Sequence, residues 1–208
     1  MENLLIPELD YDSLDESCFV DLANTLLNKC HLNANGVKWR LTEIEFYLNG
    51  KIHVDPYVHC DPDQLLCYTF YFHKFKSGTY KSGTFKGMDI TLGSEDDVTY
   101  FGILIRSICN IETGEFIEGP CNSVNKLLSA YGYNNISDLT NYKSLDVFDN
   151  EKKFHLEFNA KLKPEKIFAG PRIGLSDKYM EWRDVPYRFV VMKNSIKKRK
   201  TTLKEIEQ

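Results

Sequence analysis

Val37-Lys-Trp39-Arg-Leu41-Thr-Glu43-Ile-Glu45-Phe-Tyr47-Leu-Asn-Gly50 is the stretch on which the reading of the fold turns. Val37, Trp39 and Leu41 alternate with polar residues, the parity slips once, and Ile44, Phe46 and Leu48 alternate again. A period of two is what a half-buried strand requires, so the spacing predicts a strand with a bulge near Thr42 and a turn at Asn49-Gly50. If Ile44, Phe46 and Leu48 enter the core, Glu43, Glu45 and Tyr47 share the opposite face. A carboxylate beside an aromatic ring in a cleft is a common way to raise its pKa toward a working range. An exposed, solvated strand edge carries the same residues with no such role.

Outward from that strand, Ser13-Leu-Asp-Glu16 fits a capping box, and Phe19, Ala23, Leu26 and Cys30 recur at helical spacing, which predicts a helix over about 16–30. Val98–Ile108 is a nearly continuous apolar strand with Arg106 inside it, and a guanidinium between Leu104 and Ile108 must reach solvent or find a carboxylate. Gly119-Pro120 opens a second helix that Gly132 closes. Phe154, Leu156 and Phe158 alternate as a further strand, and extended segments near Ile167–Leu175 and Pro186–Met192 flank Trp182. Strands and helices mix without βαβ regularity. The class expected is α+β, one domain over 16–192 with a largely antiparallel sheet, an acidic arm at 1–15 and a basic tail at 193–208, both as mobile appendages.

Composition bounds the function. The longest apolar runs fall far short of the roughly 18 residues of a membrane span, and the N-terminus lacks the basic and apolar regions of a signal peptide. An intracellular protein is expected, nuclear in a eukaryote and cytoplasmic in a bacterium. Six cysteines with no C-x-x-C pair read as reduced thiols, mostly buried. The net charge of −4 is unevenly spread: residues 1–21 hold seven acids and no Lys or Arg, which leaves 22–208 at +3. Residues 71–88 carry four lysines (Lys74, Lys76, Lys81, Lys86), five aromatics, three glycines and no acid, the mixture that single-stranded and flipped-base binders use. A solvated hairpin with its aromatics turned inward has the same composition. His53-Val-Asp55, with His59 and His155, invites a non-haem metal reading, but the spacing is wrong for it. No phosphate-binding glycine loop or nucleophile elbow stands in a convincing context.

Seven short stretches, in order over roughly 20–191, are similar to the alkyladenine (3-methyladenine) DNA glycosylase family. Glu43-Ile-Glu45-Phe-Tyr47-Leu-Asn-Gly50 resembles its E-T-E-A-Y-x-G segment, and Asp55-Pro-Tyr-Val-His59 its D-x-A-x-H. Phe75-Lys-Ser-Gly78-Thr, with Lys86-Gly87-Met88 beyond it, resembles the family hairpin, and Gly102-Ile-Leu-Ile-Arg106 its V-L-I-R-A. Gly119-Pro120 through Leu128 resembles its G-P-G-K-L helix, while Gly170-Pro-Arg-Ile-Gly174 and Pro186-Tyr-Arg-Phe189 resemble its ending.

The resemblance implies a monomeric enzyme without metal or organic cofactor that flips a damaged purine from DNA and hydrolyses its N-glycosidic bond for base excision repair. It implies Glu45 as general base on the water, with Arg106 and the backbone carbonyl of Ile173 as the water's other anchors. Tyr47 would stack on the base and His59 would meet it from the other side. Lys74, Lys76, Lys81, Phe85, Lys86 and Arg172 would contact DNA. Against the family pattern, the second stacking tyrosine falls on Gly83, the wedge tyrosine on Lys86 and an asparagine near Gly93, while Cys60-Asp-Pro-Asp63 replaces basic residues. Weaker flipping and a preference for unpaired DNA follow unless Phe85 takes over as the wedge. The alternative is a non-catalytic member that binds nucleic acid or a protein through the same scaffold.

Overall fold

The computed structural model of the chain describes residues 9–14, 16–140 and 145–206. Among these the elements run α1 (Glu16–Asn28), β1 (Cys30–Ala34), β2 (Val37–Asn49), β3 (Cys67–Phe72), β4 (Met88–Leu92), β5 (Tyr100–Asn110) and β6 (Phe116–Glu118). They continue with α2 (Pro120–Ser129), α3 (Ile136–Thr140), β7 (Phe154–Phe158), β8 (Phe168–Gly170), α4 (Met180–Arg183), β9 (Arg188–Val190) and β10 (Lys204–Glu205). The strands form a single antiparallel sheet in the order β10-β8-β9-β2-β5-β4-β3, with β1 on β2, β7 on β1 and β6 on β5. This is an α+β domain with a largely antiparallel sheet.

The slip in the alternation of β2 is structural. Its register against β5 shifts between Leu41 and Glu43 and again before Ile44. Before the bulge β2 pairs with β1, from Val37 to Arg40, and after it with β9, from Glu43 to Glu45. One extra residue lets a single long strand change neighbours and re-aims the side chains beyond it. The β1–β2 connection went unread, although Asn35-Gly36 is its signal: both residues take positive φ, at 52° and 84°, as a tight two-residue hairpin turn demands.

α1 covers one sheet face. Phe19 stacks on Phe46 at 4.7 Å, and Leu22, Leu26 and Leu27 are buried in the same core as Ile44, Ile103 and Ile105. Each such side chain contributes roughly 1.5–3 kcal/mol. Glu16's side chain, half of the expected capping box, lies outside the described residues.

Neither terminal segment, where described, behaves as an appendage. Tyr11 donates its hydroxyl to the carbonyls of Leu92 and Gly93, and Leu14 is buried. Ile196 and Leu203 are buried with Val190, and β10 pairs with β8. Of the tail's three aliphatic residues, spaced among its lysines, Ile196 and Leu203 are buried and Ile206 packs against the main core. Of the cysteines, Cys30 and Cys109 are buried, Cys18 and Cys121 half-buried, and Cys60 and Cys67 exposed, so the expectation of mostly buried thiols does not hold.

Candidate functional site

The sheet face opposite α1 carries charge where a core would carry leucine. Glu43, Glu45, Arg106 and Arg188 are all buried there. Arg106 bridges the two glutamates, with Nε donating to Glu43 Oε1 at 3.1 Å and an Nη to Glu45 Oε2 at 3.2 Å. Arg188 donates to the same Glu43 Oε1 at 2.7 Å, and the Ser107 hydroxyl donates to Glu43 Oε2. Two acids against two guanidiniums make a neutral cluster, which is how buried charges are tolerated. The residue that the strand period placed beside Tyr47 is therefore neither solvated nor at an edge.

Glu45 accepts three hydrogen bonds. Besides Arg106, its Oε2 takes the Tyr47 hydroxyl at 2.9 Å, and its Oε1 takes the Ile173 amide at 2.7 Å. Burial pushes the Glu45 carboxyl above its ordinary range, Arg106 and the Ile173 amide pull it back, and Glu43 pushes it up again. Burial and the Glu45 carboxylate hold the Tyr47 phenol well above its usual value, so Tyr47 stays a donor.

Ile173 meets Glu45 through its amide N–H. One expectation needs correction, since Arg172 is not a phosphate contact: it is fully buried, paired with Asp55, and donates to the carbonyls of Phe46 and Trp182 at 3.0 Å each. Its guanidinium lies 4.5 Å from the Tyr47 ring centroid. Arg172 thus anchors the segment from which the next amide points at Glu45.

Above this cluster opens a pocket of about 120 Å³, lined by Tyr47, Tyr57, His59, Gln64, His73, Asp89, Leu104 and Leu175. Sites for drug-sized ligands run to roughly 300–1,000 Å³, so this one suits a single small ring system. Tyr47 and His59 both line it. His59 is exposed at its edge, but Tyr71 Oη lies 3.4 Å from Nδ1 and Lys81 Nζ 3.2 Å from Nε2. Desolvation, then the neighbouring His73 and, less, Lys81 lower the His59 pKa to about 4 against an opposing pull from Asp89. A neutral ring facing an ammonium must accept at Nε2, which assigns the proton to Nδ1.

His73, Asp89, Gln64, Tyr57 and the two leucines were missed from sequence. The signal for Asp89 was a lone acid between Met88 and Ile90 in an apolar strand. That for His73 was hidden among lysines.

The hairpin cations are less free than their sequence suggests. Lys74 pairs with Asp63, Lys81 meets His59, and Lys86 donates to Asn125 Oδ1 at 2.8 Å; Lys76 is exposed. Phe85, at 70%, is the most exposed large apolar side chain among the described residues, so in this register Phe85 projects where Lys86 is tied down. Of the metal reading nothing assembles. His53 packs edge-on against Trp182 at 4.9 Å, Asp55 is held by Arg172, and no group of three or more His, Cys, Asp or Glu among the described residues is arranged for an ion. A larger cavity of about 420 Å³, lined by Tyr131, Tyr133 and Lys152 among others, holds none of the residues expected to catalyse, to bind a base or to contact DNA.

Fold and site together define a single-domain α+β protein with a buried carboxylate–guanidinium cluster beneath a ring-sized pocket. The chain is 64% identical over 214 residues to an uncharacterized protein, L759, of Acanthamoeba polyphaga mimivirus, an alignment covering 98% of this chain and 99% of the other, and it belongs to the same family. No protein-family model matches the chain. Among the described residues no helix is long and apolar enough to cross a membrane.

Proposed function

We propose that this chain is a monofunctional purine DNA glycosylase that flips an alkylated or deaminated purine into the pocket of Tyr47 and His59 and hydrolyses its N-glycosidic bond. The observation that carries this reading is Glu45, a buried carboxylate reached from a ring-sized pocket through the hydroxyl of Tyr47. A carboxylate in that place is oriented by Arg106 and the Ile173 amide, and burial raises its basicity. A base stacked on Tyr47 displaces the phenol from Oε2. A water then takes the phenol's place, gives its proton to Glu45 and attacks C1′. Phe85 fills the gap left in the duplex, replacing stacking of a few kcal/mol.

Binding without catalysis through the same pocket is favoured by one observation: the oxygens of Glu45 are already engaged by three donors. One experiment separates the two readings. Duplexes each holding one alkylated or deaminated purine are incubated with excess protein and then cleaved at abasic sites. Strand breaks at the modified purine are expected; intact strands with every lesion, despite measurable binding, would leave the binding reading.

A further inference from the structure

Glu43, Ser107 and Glu118 form one rung across β2, β5 and β6, for Glu43 pairs with Ser107 and Ser107 with Glu118. Directly paired residues of an antiparallel sheet project to the same face, so Glu118 is a third acid on the face that carries the buried cluster. The Ser107 hydroxyl ties the rung together, donating to Glu43 and accepting the Gly119 amide at 3.4 Å. Glu118 is matched by backbone rather than by a guanidinium. Its Oε1 accepts the amides of Lys197 at 3.1 Å and of Lys198 at 2.9 Å, which lays the tail across this end of the cluster.

The segment is pinned on both sides of those amides. Ile196 is buried just before them, and the chain turns back at Arg199, whose φ of 47° lies in the left-handed region that a β-carbon disfavours. A turn of that kind persists only where its surroundings impose it. With it in place the Lys198 side chain is exposed while its carbonyl accepts from Arg188 Nη2 at 3.0 Å. Arg188 has few other holds. It is fully buried, its Nε donates to Glu43 at 2.7 Å, and its Nη1 has no hydrogen-bond partner among the described residues. In the register of β2 and β9 it stands opposite Glu45.

Resting on the glycosylase reading, we propose that Glu118 is a positioning residue for Glu45: by holding the tail amides it sets the Lys198 carbonyl, which keeps Arg188 on Glu43 and leaves Arg106 to orient Glu45. The tail is then a wall of the site and not an arm beside it. The groups facing the Glu45 carboxyl are Glu43 and Tyr47 from its own strand, Arg106 from β5, Arg188 from β9 and the Ile173 amide from the loop after β8. Arg172 lies beyond Tyr47, and Asp89 beyond Leu104. When Arg188 slackens, one guanidinium serves two buried acids, and Glu45 holds its proton to higher pH.

The test is single-turnover excision of 7-methylguanine, an alkylated purine, from duplex DNA across pH by the parent, Glu118→Ala, Glu118→Asp and Glu118→Gln. Glutamine keeps an acceptor oxygen within reach of both amides, whereas aspartate keeps the charge but is one methylene short. Alanine and aspartate should move the ascending limb of the profile up by about one pH unit, which lowers the rate about tenfold on that limb and leaves the plateau. Glutamine should stay within a few-fold of the parent throughout. A direct charge effect has the opposite sign, because removing a negative charge near Glu45 lowers its pKa. An unmoved limb in Glu118→Ala, even with a lower Tm, overturns the proposal, and so does a shift in Glu118→Gln as large as in Glu118→Asp. If Glu118→Ala does not fold, Glu118→Asp carries the same comparison. An NMR titration of the Glu45 carboxyl in the same proteins separates the two readings. A parent that excises no 7-methylguanine counts against the glycosylase reading alone, while a Glu45 midpoint that fails to rise in Glu118→Ala and Glu118→Asp overturns the positioning role by itself.

Discussion

Asp55→Asn tests whether the Arg172 pair organises the site. Both side chains are fully buried, and the two Nη groups of Arg172 also donate to the carbonyls of Phe46 and Trp182 at 3.0 Å, while its Nε has no hydrogen-bond partner. Withdrawing one charge from a buried pair costs about 3–5 kcal/mol, because the survivor is left uncompensated. Asparagine can still accept the Tyr57 amide, which Asp55 takes at 3.0 Å, and the guanidinium keeps its place over Tyr47, 4.5 Å from the ring centroid. Contacts of the latter kind are worth about 0.5–2 kcal/mol and remain, which puts the expected loss near the lower end, at about 3 kcal/mol. For a chain of this length that is a fall in Tm of about 6–12 °C. Urea unfolding of the parent and variant reads it directly. The double replacement Asp55→Leu with Arg172→Met should recover most of the loss, since both charges leave together. A single variant within about 0.5 kcal/mol of the parent, the size of an ordinary surface substitution, would show that Arg172 needs no charge partner and sink the argument.

The remaining expectations concern chemistry, DNA and the tail. Glu45→Gln cannot accept the water's proton, so single-turnover excision should drop by about 10²–10⁴ with folding retained, and equal rates would remove Glu45 from the mechanism. Because Glu45 must be ionised to act and burial raises its pKa, 7-methylguanine excision should climb with pH through a midpoint above the ordinary carboxylate range; a flat profile from acid to neutral pH speaks against it. Phe85→Ala should slow excision from matched duplex more than from single strands, whereas a parallel loss on both would place the wedge elsewhere. Leu203→Ala should cost about 2–5 kcal/mol in urea unfolding, as a buried truncation does; an unaffected midpoint would mean that the tail is only laid on the surface.

Much of this molecule was legible in its sequence because local rules carried it. The alternation through Val37–Leu48, the slip near Thr42, the Pro120 helix start and the Arg106 that demanded a carboxylate all rest on periodicity or on the cost of burying charge, and these act over a few residues. From the same alternation came the shared face of Glu45 and Tyr47. The rest depended on contacts between residues far apart in the chain. That Arg172 turns inward is decided by Asp55, 117 positions away, and that the Ile173 amide faces Glu45 follows from that anchor. The basic tail looked like a solvated appendage because six cations outweigh three aliphatic side chains in composition, yet Ile196 and Leu203 meet Val190 only once β8 and β9 are formed. His73 and Asp89 are likewise ordinary residues until the β3–β4 pairing sets them face to face beside Leu104. A period reports which way a side chain points, but which side chain meets it across the sheet is decided by strand register, and register is a property of the folded chain.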